Sequence, residues 1–264
     1  MMNMISLSIL FMWPRPVKFV FRELSKKIDG DDKPDAWDLI DDGNYRFSQY
    51  NLLRYKQLGE SGLKFTVHGP LFLTRYIDHN KKVRVKSISR LKTSMLNAVE
   101  LSPLAYVFHP AAIPKGFTKE QSKVEHYEFL EQINDYSKSI GLNAFIENHI
   151  TNLDHMLTTP QEFLEFYDRT GTDLMMTFDA GHANMDGAAK AFVDKLCNKI
   201  GVVHVHDNNG SSDEHLGIGK GNINWSYIVK KLEGCNFAGP YVIESVHEPF
   251  ETVRILRQLI NGRS

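Results

Sequence analysis

The 264-residue chain has almost no cysteine: Cys197 and Cys235 are its whole complement, and no CxxC spacing occurs. That excludes a disulfide framework and thiolate zinc, leaves one possible pair at most, and fits a reducing cytoplasm. Net charge is nearly absent too. The 31 Lys and Arg against 32 Asp and Glu leave −1, with a pI near 6.8. This balance argues against a protein whose main work is wrapping nucleic acid or binding an anionic membrane. Long apolar runs are missing. The stretch from Met1 to Phe11 lacks a basic flank and a small-residue cleavage site, and charge arrives at Arg15. It is too short to span a bilayer and is expected to be a buried first strand. A glycine-rich phosphate turn is missing as well. The residues after that first run are Trp13-Pro14-Arg15-Pro16, where a doubly wound nucleotide-binding sheet would place glycines.

Hydrophobic residues make up 42% of the chain, enough for a large core and against wholesale disorder. Short apolar runs without clear alternation fall at 5–12, 36–40, 63–68, 105–109, 143–147, 174–179, 202–206 and 241–244. Such runs are expected of strands buried on both faces of a parallel sheet. Between and after them, helical spacing covers 17–28, 49–61, 87–101, 119–140, 160–170, 188–200, 225–233 and 250–261. Gly141 closes one helix and Pro160 opens another, as expected of helix ends. Nothing divides the chain by composition. Eight strand–helix units at this length predict a single-domain (β/α)8 barrel, a fold that runs to about 250 residues.

The eleven histidines, one residue in 24, give that prediction chemical content. Barrel enzymes place catalytic groups at the C-terminal ends of strands. Here the third strand ends in His68 (FTVHGP), the fourth in His109 (YVFHP), the fifth in Glu147 (AFIEN), the sixth in Asp179 (MMTFDAGH) and the eighth in Glu244 (YVIES), with His204 in the seventh (VVHVHD). One such residue is an ordinary cap or a satisfied polar group. Six in succession on one rim point to a metal site, because buried polar groups cost energy unless paired or bound. The loops add His182 (DAGH), and Asp213 and His215 (DEH) in an i, i+2 grip. A nitrogen and oxygen donor set without sulfur suits Zn, Mn, Co or Fe. Nine candidates exceed the needs of one ion, which suits two or three ions bridged by carboxylates with Glu147 central enough to bridge; one to three divalent ions per chain are expected.

The motifs VHGP, FHP, IEN, FDAGH, HVHDNNG, DEHLGIGKGNINW and VIES resemble the xylose-isomerase-like TIM-barrel superfamily over about residues 63 to 245. That group includes sugar isomerases and epimerases, inosose dehydratases and the endonuclease IV class of abasic-site nucleases. The resemblance implies that His68, His109, Glu147, Asp179, His182, His204, Asp213, His215 and Glu244 stand where endonuclease IV carries its metal ligands. In the sugar epimerases Glu147, Asp179, His204 and Glu244 would form a single-metal set, with the two glutamates also acting as acid and base. His204 takes this place by its distance from Asp213; a slip to His206, which also points to the rim if the strand twists, stays open. Tagatose-type epimerases carry an arginine six residues beyond this histidine, and here that residue is Gly210.

The expected activity is a metal-dependent isomerase or epimerase of a small sugar or sugar phosphate. Abasic-site phosphodiesterase is the alternative, the only one that needs nucleic acid. His206, Lys220 and Trp13 are candidate substrate contacts. Phe11, Trp13 and Phe72 are stacking candidates. The basic run Lys81, Lys82, Arg84, Lys86, Arg90 and Lys92 reads as a solvated helix face or a phosphate site. Gly217, Gly219 and Gly221 match no P-loop and read first as turn geometry.

Overall fold

The structure, a computed structural model, describes residues 3–72, 75–151 and 154–262. Eight parallel strands close into a barrel in chain order, β1 pairing with both β2 and β8. They are β1 (Ile5–Ser8), β2 (Ala36–Ile40), β3 (Phe65–His68), β4 (Tyr106–Phe108), β5 (Ala144–Glu147), β6 (Met175–Asp179), β7 (Ile200–Val205) and β8 (Tyr241–Ile243). Around them run α1 (Val17–Leu24), α2 (Gln49–Glu60), α3 (Lys81–Val99), α4 (Lys119–Ser139), α5 (Pro160–Thr170), α6 (Ala180–Asn184), α7 (Ala189–Leu196), α8 (Trp225–Gly234) and α9 (Pro249–Ile260). Among the described residues, no helix is long and apolar enough to cross a membrane.

Three differences from the expected elements have local causes. The run 5–12 is a strand only as far as Ser8. The Ser8 hydroxyl then accepts the Leu10 amide and starts a 3-10 turn over Ile9–Met12. Helix α3 starts six residues before the periodic signal because Asn80 caps it, accepting the Lys82 amide at 3.0 Å. Helix α6 was not expected. It starts where Asp179 accepts the His182 amide at 2.6 Å, so the last residue of β6 is also a helix cap.

The barrel interior is divided. On one side Ala105, Val107, Val202 and Val242 pack together with Phe145 against them. Gly201 makes room for Phe145: a Cβ there would lie 2.2 Å from its ring. On the other side Ser8 and Thr66 donate to Asp38 at 3.0 and 2.8 Å, and Thr66 also meets Ser6 at 2.8 Å. Burial lifts Asp38 to about 6 against the pull of His68. Side chains alternate along a strand. Two residues beyond Thr66, Val107, Phe145, Val202 and Val242 therefore come His68, His109, Glu147, His204 and Glu244, on the same interior face. A disulfide joins Cys197 to Cys235 at the adjoining ends of α7 and α8. The one possible pair is formed, so scarcity of cysteine gives no support to a reducing compartment.

Candidate metal centre

All nine residues nominated as ligands converge at the C-terminal mouth, and His206 joins them. Glu147 is the hub. One of its oxygens lies 3.0 Å from His68 Nε2 and 3.4 Å from His109 Nε2; the other lies 3.2 Å from His204 Nδ1 and 3.4 Å from His182 Nδ1. His204 Nδ1 is also 3.5 Å from Glu244 Oε1 and 3.6 Å from Asp179 Oδ2. This favours His204 over His206 as the histidine of the inner cluster. Strand register explains part of the convergence, since Asp179 of β6 pairs directly with His204 of β7.

A second cluster sits outward of the first. Asp213 Oδ2 meets His215 Nε2 at 3.1 Å and His182 Nε2 at 3.6 Å, and its Oδ1 faces His206 Nδ1 at 3.6 Å. His206 Nε2 reaches back to Asp179 Oδ1 at 3.1 Å. Its ring stacks on His215 with centroids 3.9 Å apart. His206 thus links the two clusters from a fully buried position; it does not line the cavity.

Neighbouring backbone fixes several rings. His68 Nδ1 donates to Gly69 O, His182 Nδ1 to Asn148 O and His215 Nδ1 to Glu244 O, at 2.9 to 3.0 Å. A carbonyl only accepts, so each Nδ1 carries hydrogen and each Nε2 is turned toward a carboxylate. This is the arrangement that holds a metal-ligating imidazole in place. Asn148, which the sequence argument left without a role, exchanges hydrogen bonds with Asp179: its side chain donates to Asp179 O at 3.0 Å and accepts the Asp179 amide at 2.8 Å. Asn208 likewise donates to Gly181 O at 2.9 Å. An Asn directly after the ligand strand in IEN, and again in HDNN, was the available signal.

Burial alone would raise Glu147, but the charges of His204 and His109 hold its carboxyl well below the usual range. Burial alone would lower His204, yet Glu244 and Glu147 raise it well above an ordinary histidine. Burial also opposes His215, whose bond to Asp213 lifts it to about 9. The mouth is therefore a lattice of carboxylates and imidazoles that compensate one another. The compensation is incomplete. His204 Nδ1 and Nε2, His206 Nδ1 and Asp213 Oδ1 are buried without a hydrogen-bond partner. Ligand atoms of His68, Glu147 and His204, of Asp179, His204 and Glu244, and of His206, Asp213 and His215 lie within 4.8 Å of one another in each set. Orphaned donor atoms converging at these distances, without sulfur, fit a divalent ion of the Zn or Mn type.

A cavity of about 410 Å³ opens over both clusters. His68, His109, Glu147, His182, Asp213, His215 and Glu244 form its base, with Leu10, Ile40, Leu71, Phe72, Ile150, His149 and His155 on its sides. Two expected substrate contacts lie elsewhere. Trp13 packs edge-on against Tyr45 with centroids 5.1 Å apart, close over Gly43, and does not line the cavity. Lys220 is exposed and 3.5 Å from Glu248. The basic run lies on α3, outside the barrel; its Arg90 turns inward onto Asp41, with Nη1–Oδ2 and Nη2–Oδ1 both at 2.9 Å. His149 and His155, left without assignment from the sequence, stack 4.0 Å apart in the cavity wall.

Residues 35–261 match the family model described as xylose isomerase-like TIM barrel, so the likeness begins well before residue 63. An uncharacterised protein of Methanocaldococcus jannaschii, MJ1311, is 31% identical over 235 residues, covering 86% of this chain and 80% of that protein. Among solved structures, a D-tagatose 3-epimerase-like protein superposes with a TM-score of 0.87 at 26% identity, over 98% of both chains. The IolI protein with a bound zinc atom superposes with a TM-score of 0.78 at 15% identity, over 99% of both chains, a likeness of fold alone. The chain belongs to the xylose isomerase-like TIM-barrel family.

Proposed function

We propose that this protein is a metal-dependent isomerase or epimerase of a small sugar or sugar phosphate. One observation carries the reading: Glu147 and Glu244, from β5 and the end of β8, reach the same ring nitrogen of His204, at 3.2 and 3.5 Å. Two carboxylates facing a common point from separate strands can serve the two faces of one substrate carbon. Glu147, Asp179, His204 and Glu244 would hold the ion, and His68 and His109 steady the second oxygen of Glu147. An ion held by these residues would supply Lewis acidity to adjacent sugar oxygens, making the neighbouring C–H more acidic. Glu147 then takes the proton and Glu244 returns one to the opposite face, or Glu147 returns it to the neighbouring carbon. The likeness to a D-tagatose 3-epimerase-like structure supports this chemistry.

The test is solvent exchange. Metal-loaded protein in D2O is expected to move deuterium into a ketose at the carbon beside the carbonyl, and Glu147→Gln to stop it. A second reading, a phosphodiesterase cutting abasic sites, draws on the outer cluster of His182, Asp213 and His215, which gives more ligands than one ion needs. It expects two or three ions per chain and Glu147-dependent nicking of an abasic duplex. Nicking without deuterium exchange would replace the first reading with the second.

A further inference from the structure

We infer that the cavity takes an uncharged sugar and turns away its phosphate ester. The inference rests on the isomerase or epimerase reading and narrows its substrate. Barrel enzymes commonly hold phosphate on amides of the loops after the seventh and eighth strands, beside a helix N-terminus. In this chain that place contains an anion of its own. The buried Asp207 carboxylate accepts the amides of Asn208, Gly219 and Ile223 at 3.0, 2.9 and 3.1 Å. The loop closes on it so tightly that a Cβ at Gly221 would lie 2.4 Å from Asp207 Oδ1. The nearby helix α9 has Glu248 at its N-cap position and Glu251 in its first turn, both of the same sign as a phosphate.

Three cations that the sequence offered to a phosphate are engaged away from the cavity. Lys220 faces Glu248, Arg90 grips Asp41, and Lys92 lies 4.9 Å over the Tyr136 ring. No Lys or Arg is among the described residues that line the cavity. A phosphate at the far end from the metal ligands would be desolvated without a partner.

The wall suits hydroxyls instead. His149 Nδ1 accepts the Ile150 amide at 2.9 Å, so the ring's hydrogen is on Nε2, the one donor it has to offer. Stacking on His155 holds the ring flat against its neighbour. Leu71, Phe72 and Ile150 supply the apolar surface that packs on the C–H face of a sugar. A neutral donor beside an apolar face is a recognition set for a polyol.

The test uses the metal-loaded full chain, with a panel of free ketopentoses and ketohexoses and their terminal phosphates. Calorimetry reads binding, and proton NMR in D2O reads C–H exchange. At least one free ketose is expected to exchange and to bind about tenfold or more tightly than its own phosphate. Equal affinity, or preference for a phosphate that does exchange, overturns the inference and leaves the isomerase reading standing. Exchange and binding by neither class overturns both. His149→Asn keeps an acceptor for the Ile150 amide and removes the Nε2 donor. It is expected to raise KM about tenfold with kcat within about twofold; an unchanged KM removes His149 from substrate recognition and overturns this account of the wall.

Discussion

Gly181 occupies the position where any side chain would displace His206: a Cβ there would stand 1.9 Å from His206 Cε1 and 2.4 Å from Nδ1. The glycine of the DAGH motif is thus the space that lets an imidazole reach Asp179 on one side and Asp213 on the other. Gly181→Ala is expected to push the ring out and destabilise the fold by roughly 1–3 kcal/mol, the usual cost of overpacking a core. Adding His206→Asn, which shortens the side chain, is expected to recover part of that loss. Denaturant unfolding of the two single variants and the double variant measures the coupling; additive losses would show that the two positions do not compete for space.

Arg90 and Asp41 form a forked pair, with Asp41 buried and its Oδ1 also accepting the Phe47 amide at 2.6 Å. The pair ties α3 to the loop after β2. Arg90→Lys keeps the charge but loses the fork. Arg90→Ala leaves a buried carboxylate without its cation, at a cost of about 3 kcal/mol. The expected order of stability in urea is wild type, then Lys, then Ala. Indifference to the alanine change would mean that water already compensates Asp41.

Acid should act on His126, a buried histidine outside the metal centre. Burial, with a smaller push from His155, lowers its pKa from 6.5 to about 3. The unfolded chain therefore binds a proton between those values that the folded chain does not, and stability falls as pH drops from 6.5 toward 3. At about 1.4 kcal/mol per pH unit, the loss from this one group reaches at most about 5 kcal/mol. His126→Gln is expected to flatten that part of the curve. Unfolding free energies at pH 7, 5 and 4 test it; parallel curves for the two proteins would rule the assignment out.

The bond between Cys197 and Cys235 closes a loop with a sequence separation of 38. The chain-entropy relation assigns such a loop about 4 kcal/mol, with about 2 as a realistic lower figure. A reducing agent should lower the melting temperature of the wild type and leave that of Cys197→Ser unchanged. Equal melting of wild type with and without reductant would show that the two thiols contribute nothing as a pair.

Much of this architecture was legible because a strand end and a functional side chain coincide. VHGP, FHP and IEN place a polar residue where an apolar run stops, and alternation along the strand turns it inward. Residues whose role depends on a neighbouring element were harder to read. His204, on β7, and His206, one residue past its end, sit two apart, so the sequence preferred His204 by its distance from Asp213 but left a slip of two open; the position of Glu147 and Glu244 closes it. Trp13 looked like a stacking platform until Tyr45 and Gly43 claimed its ring. The Cys197–Cys235 pair was invisible because spacing along the chain says nothing of how α7 lies against α8.

The carboxylate of Asp207 has a consequence for timing. A loop whose amides wait for a ligand's phosphate is ordered by that ligand and spends part of the binding energy on its own arrangement. The loop after β7 has its counter-charge in the same chain, so its fold does not wait for a ligand. His215, midway along that loop, is therefore preorganised beside Asp213 and Glu244, and capture of a ligand need not be preceded by closure of this part of the rim.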